Sequence, residues 1–169
     1  YSEFSGQDFT PLLALGNVLV MHTFSKLYAL AGARIGYVLS SPYLAGELQK
    51  AISDFPLSVF AEIAAQVALE NAALFLPVRQ RILAERARLA AALATTDGVH
   101  VYPSGTNFLL VQLAQPRQPL LDHLLHEQGV LVSNLAAYPE LKNCVRVSVG
   151  APEQNDRVVA GFQQWAASI

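Results

Sequence analysis

Between Asn17 and Gly46 the chain carries no aspartate or glutamate, and the only side chains with a permanent charge are Lys26 and Arg34. The nearest acids on either side are Asp8 and Glu47. Two short apolar runs, 17–22 and 35–39, bracket this basic pair; the first follows Gly16 and the second stops at Ser40-Ser41-Pro42. Such runs predict buried parallel strands rather than alternating exposed ones. A lysine directly after a buried strand is expected to be desolvated, and desolvation favours the neutral amine, the form that attacks a carbonyl carbon. The competing reading is a surface lysine after a turn, the commonest fate of this residue. Thr23 and Arg34 offer a hydroxyl donor and a forked guanidinium, a set that suits phosphate oxygens. Gly32 and Gly36 are expected to let the backbone approach a bulky ligand. A phosphate-bearing aldehyde needs these parts in one place.

The rest of the chain sets bounds. With 169 residues, 53% of them hydrophobic, there is material for one domain, or for a small domain plus part of another. Charged residues make up 14%, with a net charge of −2, which argues against disorder. The 11 lysines and arginines are spread out, so no basic stripe points to nucleic acid. Cys144 is the single cysteine, which leaves no intrachain disulfide and no cysteine-built zinc cage. No apolar run reaches the roughly 18 residues of a membrane span, and no signal segment opens the chain. A soluble cytoplasmic protein is expected. The chain opens at Tyr1 without an initiator methionine and reads as part of something longer.

Pro42 opens an expected helix to about Ile52. An Ala-rich helix from Leu57 to about Phe75, apolar nearly all round, is expected to be buried and to break at Pro77. Residues 78–94 read as a long amphipathic helix linking two domains. Beyond Asp97-Gly98, strands are expected at 99–102, 108–113, 130–132 and 144–149. Leu120, Leu121, Leu124 and Leu125 stripe a helix between the second and third of these. Pro152, with Glu153 and Asp156, opens a last helix but lacks a hydroxyl cap. The fold class is therefore α/β, with one domain edge over residues 1–80 and a linking helix and small α+β domain over 81–169.

The stretch Thr23-Phe24-Ser25-Lys26-Leu27-Tyr28-Ala29-Leu30-Ala31-Gly32-Ala33-Arg34-Ile35-Gly36-Tyr37 resembles the cofactor-lysine motif of the fold-type-I pyridoxal-phosphate aminotransferases. It comes closest to their histidinol-phosphate branch. The likeness continues through Thr106-Asn107-Phe108-Leu109-Leu110-Val111 and through 145–156, so it covers essentially the whole chain. It implies the end of the large domain followed by the small domain, a homodimer, and pyridoxal 5'-phosphate as cofactor. Lys26 would bond to the cofactor aldehyde and move the proton between Cα and C4′. Thr23 and Arg34 would grip the cofactor phosphate, and Tyr1 would hydrogen-bond its 3-oxygen. The implied reaction passes an amino group from a small-molecule donor, histidinol phosphate in this branch, to 2-oxoglutarate.

Arg146 alternates with Val145, Val147 and Val149 on an expected strand. On pattern alone it reads equally as a solvated strand residue or as an anion binder, and the resemblance implies that it binds the anionic end of the substrate. Relatives commonly carry an arginine where this chain has Ser133, which points also to an aromatic aminotransferase or a phosphothreonine-type decarboxylase. A different class, a pyridoxal-phosphate-sensing regulatory domain, would keep the same lysine and arginines. The aspartate of the Asp-x-x-Tyr element, the glycine-rich phosphate cup and the partner subunit's tyrosine would all lie upstream of Tyr1. The chain alone is therefore expected to lack useful transaminase activity. His123 and His126 read as a polar helix face rather than a metal pair, His22 as a core or supporting histidine, and Cys144 as a small buried hydrophobe.

Overall fold

The computed structural model describes residues 1–169, and they gather into two units, Tyr1–Arg79 and Gln80–Ile169. In the first unit a single helical turn, α1 (Ser2–Ser5), seats Phe4 in the interior. A 3₁₀ segment follows over Thr10–Leu15. Strand β1 (Val20–Thr23) then pairs antiparallel with β2 (Gly36–Leu39), in the register Val20 opposite Leu39 and Thr23 opposite Gly36. This corrects the expectation of buried parallel strands. The two-stranded sheet leaves the outer edge of each strand unpaired, and Met21 is 78% exposed while Val20 is buried. Apolar composition marks a strand but does not fix the direction of its partner.

Helix α2 (Pro42–Gln49) begins where the Ser41 hydroxyl accepts from Leu44 N–H, and it ends short of Ile52. Helix α3 (Val59–Glu70) is capped in the same way by Ser58, whose Oγ accepts from Ala61 N–H at 3.2 Å. It stops at Asn71, six residues before Pro77, because the Asn71 side-chain amide donates to the Val67 carbonyl at 2.8 Å and closes the last turn. A 3₁₀ turn over Ala72–Phe75 leads into α4 (Leu76–Leu93). The expectation that the Ala-rich helix is buried all round is also corrected. Only Ala61, Ala65 and Ala68 face inward, against Phe24 and Ile35, while Phe60 is 86% exposed. Small residues at that spacing let the helix axis approach closely, so its larger side chains end up outside.

In the second unit, β3 (Val99–Val101), β4 (Phe108–Leu113), β5 (Ser133–Asn134) and β6 (Cys144–Ser148) form an antiparallel sheet in the order β3-β4-β6-β5. Leu109, Val111 and Leu113 of β4 and Val145 and Val147 of β6 turn one face inward. Helices α5 (Arg117–Gln128) and α6 (Pro152–Ala166) contribute Leu120, Leu124, Val158, Phe162 and Trp165 to that core, and α4 adds Leu89 and Leu93. Gly161 permits the α5–α6 contact, since a Cβ there would lie 2.5 Å from Leu124 Cδ2. The expected strand at 130–132 is displaced to Ser133–Asn134: Val132 turns into the core, and pairing with β6 starts only at Ser133. In place of a hydroxyl cap, Gln154 Oε1 accepts from Ala151 N–H at the start of α6.

Asn155 is the main buried polar side chain of this unit. Its Oδ1 accepts from Gly150 N–H at 2.9 Å, and its Nδ2 donates to Gly150 O at 3.0 Å and Glu85 Oε2 at 2.8 Å. Glu85 is clasped in turn by Arg88, which also donates to Asp156 at 2.6 Å and to the Pro152 carbonyl. The turn between β6 and α6 is thereby tied to α4 with every polar atom of Asn155 satisfied.

Candidate functional site

The ladder between β1 and β2 closes a loop that carries every basic group singled out in the first unit. Phe24 N–H donates to Ile35 O at 3.2 Å at its base. Inside the loop, Ala29 N–H reaches Lys26 O and Leu30 N–H reaches Phe24 O, each at 3.0 Å. Phe24, Leu27 and Ile35 sink into the interior, and that choice turns Lys26 outward. The expectation of a desolvated lysine is therefore corrected: Lys26 is exposed, because its apolar neighbours fill the space below it. Its ammonium faces the Tyr1 ring, with Nζ 5.7 Å from the centroid, within range of a cation–π contact. No carboxylate lies within ion-pair distance of it.

Thr23 ends β1. Its hydroxyl donates to Ser25 Oγ at 2.9 Å and accepts from Ser25 N–H at 3.1 Å, so the two hydroxyls form one small polar turn beside Lys26. Arg34 is exposed and donates from Nη1 to the Ala31 carbonyl at 3.1 Å. Arg34 and Ala29 are the two non-glycine residues of the chain with positive φ, at 52° and 55°. Left-handed backbone at such residues costs on the order of 1 kcal/mol each. Both strained positions sit in the Lys26 loop.

Gly36 has a different part from the one expected. A Cβ there would lie 2.5 Å from the His22 carbonyl oxygen, so this glycine admits the opposite strand, not a ligand. Gly32 has open space around it. Next to the loop, His22 stacks on Tyr37 with ring centroids 4.9 Å apart, and its Nδ1 lies 3.4 Å from Ser2 Oγ and 3.9 Å from Glu3 Oε1. Burial pushes the Tyr37 phenol above its ordinary range, with Glu3 and Tyr28 adding to the effect.

In the second unit Arg146 stands on the solvent face of the sheet. It lies directly opposite Ser133, and its Nη2 donates to Ser133 Oγ at 3.0 Å. Its guanidinium carbon is 5.3 Å from the Phe108 ring centroid. Cys144 is buried, and desolvation raises its thiol.

Tyr1 and Lys26 are thus brought together, and Thr23 and Arg34 share the loop of Lys26. The sequence reading missed Ser25 and the Ser133–Arg146 pair. Ser25 was signalled by its place between Thr23 and Lys26. The Ser133 contact depends on strand register and has no local signal.

A lysine with no carboxylate partner, two hydroxyls and a guanidinium, with no acid among them, suit an aldehyde that carries a phosphate. The model of the family described as aminotransferase class I and II matches residues 1–162. Curated relatives include a histidinol-phosphate aminotransferase of Chlorobaculum tepidum, 41% identical over 85% of this chain and 40% of the relative. Another, from Roseiflexus castenholzii, is 39% identical over 98% of this chain and 46% of the relative. The chain therefore spans under half the length of these relatives.

Among solved structures, the histidinol-phosphate aminotransferase from Sinorhizobium meliloti in complex with pyridoxal-5'-phosphate superposes with a TM-score of 0.77. It is 30% identical, over 90% of this chain and 42% of that one. The enzyme from Clostridium acetobutylicum, at 20% identity, shares the fold with a TM-score of 0.90 over all of this chain and 53% of that one. The fold is that of the fold-type-I pyridoxal-phosphate-dependent transferases, and the chain belongs to the class I and II aminotransferases.

Proposed function

We propose that this chain supplies the cofactor lysine and part of the substrate site of a pyridoxal-phosphate aminotransferase acting on histidinol phosphate and 2-oxoglutarate. The observation that carries the reading is the strained, acid-free loop that presents Thr23, Lys26 and Arg34 from one pair of strands. On this reading residues 1–80 close the large cofactor-binding domain, and residues 81–169 form the linking helix and small domain. The working protein is a cytoplasmic homodimer. No single helix is long and apolar enough to cross a membrane, and no nucleic-acid partner is invoked.

Pyridoxal phosphate, when bound, supplies the aldehyde that takes up the amino group and a ring that delocalises the electron pair left at Cα. The protein's own groups do the rest. Lys26 would tether the cofactor, and its amine would hold and move the proton taken from the substrate Cα. Its exposed amine is open to an incoming aldehyde. Thr23 and Arg34 would hold the cofactor phosphate. Tyr1, beside the Lys26 side chain, would donate to the ring oxygen. Arg146 holds the anionic end of the substrate.

Adding pyridoxal phosphate to the 169-residue chain tests this. The visible absorbance band of lysine-bound cofactor is expected in the wild type, lost in Lys26→Ala and weakened in Arg34→Ala. A band of undiminished strength in Lys26→Ala would refute the assignment. The chain alone is expected to show no useful turnover.

A further inference from the structure

Helix α1 is a single turn of 4 residues, too short to hold its shape alone in water, so its place is set by what it touches. Tyr1 belongs to that turn: its carbonyl accepts from Phe4 N–H at 2.9 Å and from Ser5 N–H at 3.0 Å. Phe4 plugs into the interior, and Arg79 of α4 donates from Nε to the Glu3 carbonyl. The tie to β1 is made by His22, whose Nδ1 shares a hydrogen bond with Ser2 Oγ at 3.4 Å and lies 3.9 Å from Glu3 Oε1.

His22 is itself held in place. It stands opposite Tyr37 in the β1–β2 ladder, and the two rings lie 10° from parallel. A stacked cross-strand pair of this kind fixes the direction in which Nδ1 points. Lys26 follows four residues later, beyond the end of β1. The turn that His22 grips through Ser2 is also the turn that presents the Tyr1 ring to Lys26 Nζ, 5.7 Å from the centroid. One strand therefore leads to the amine and anchors the tyrosine that faces it.

We infer that His22 is a positioning residue for Tyr1: through Ser2 it fastens the α1 turn to the strand leading to Lys26, and so sets the tyrosine beside the amine. This rests on the reading of Tyr1 as the partner of the cofactor's ring oxygen.

The first test needs no cofactor. In the ¹³C-labelled chain the Lys26 Cε–Hε resonance senses the ring current of Tyr1, and Tyr1→Leu gives its position without the ring. His22→Phe keeps a ring on Tyr37 and loses the nitrogen; His22→Asn keeps a polar group within reach of Ser2; Ser2→Ala removes the other half of the bond and leaves the strands untouched. The resonance is expected to move most of the way to the Tyr1→Leu position in His22→Phe and Ser2→Ala, and to stay near the wild-type position in His22→Asn. Thermal midpoints check that the strands are intact. A wild-type resonance in Ser2→Ala, or the same displacement in both His22 variants, would overturn the inference.

The second test measures pyridoxal phosphate dissociation constants. Tyr1→Phe and Ser2→Ala are each expected to weaken binding roughly two- to tenfold, the worth of one hydrogen bond, and the double variant no more than either alone. Independent losses that multiply in the double variant would show Ser2 and His22 acting through the fold rather than through Tyr1, and would overturn the inference alone. Tyr1→Phe binding as tightly as the wild type would overturn the cofactor role of Tyr1, and the inference with it.

Discussion

Gly36→Ala puts one methyl group into the base of the Lys26 loop. The new carbon would lie 2.5 Å from the His22 carbonyl oxygen and 3.5 Å from Thr23 Cα, both backbone atoms that cannot rotate out of the way. The strands must separate, and overpacking of this kind costs about 1–3 kcal/mol. The neighbouring Phe24–Ile35 bond, already 3.2 Å long, would stretch further and give up part of its roughly 0.5–1.5 kcal/mol. A total of about 2–3 kcal/mol lowers the midpoint of a unit this size by roughly 10–20 °C. Gly32→Ala is the matched control, because nothing lies within 4 Å of its Cβ position. Near-UV circular dichroism of the tyrosines, which include Tyr28 and Tyr37, gives the melting curve. The same separation of strands moves Thr23 away from Arg34, so Gly36→Ala should also bind pyridoxal phosphate more weakly than Gly32→Ala. Equal midpoints for the two variants would refute the claim that strand approach, rather than ligand approach, is what Gly36 provides.

Gly161→Ala should destabilise the second unit by about 1–2 kcal/mol in urea titrations followed by Trp165 fluorescence, despite alanine's better helix propensity, because Leu124 and Gln128 occupy the space. Hydrogen bonds from Arg88 and Asn155 hold the Glu85 carboxyl below its ordinary range. A carboxyl depressed in the folded state stabilises above its unfolded value, and that contribution fades as pH falls through the folded one. Glu85→Gln should therefore flatten the acid limb of the stability–pH curve while lowering stability at neutral pH. Burial raises the Cys144 thiol, so the native chain should react slowly with a disulfide reagent, and the rate should climb in urea in step with unfolding.

Local spacing was legible in the sequence, and long-range geometry was not. Thr23, Lys26 and Arg34 stay near one another in the fold because Thr23 ends β1 and the other two lie in the short loop between β1 and β2. The exposure of Lys26 could not be read, since it depends on Phe24 and Leu27 winning the interior. Strand direction failed for a related reason: Val20 and Ile35 are buried, but an apolar run does not say what lies beside it. The displaced β5 shows the same limit. Val130–Val132 has strand composition, yet pairing is decided by where β6 presents Val145 and Arg146. The Gln154 cap was within reach, because glutamine at the third helical position can serve the backbone when the cap residue cannot.

The outward side of α3 governs how this polypeptide behaves in a tube. Phe60, Ile63, Val67 and Leu74 line an open groove of about 490 Å³ whose walls are almost wholly carbon. Water covers such a surface at a free-energy cost that any other oily surface relieves. Preparations of the 169-residue polypeptide should accordingly bind hydrophobic dyes, adhere to columns and lose monomer as salting-out ions are added.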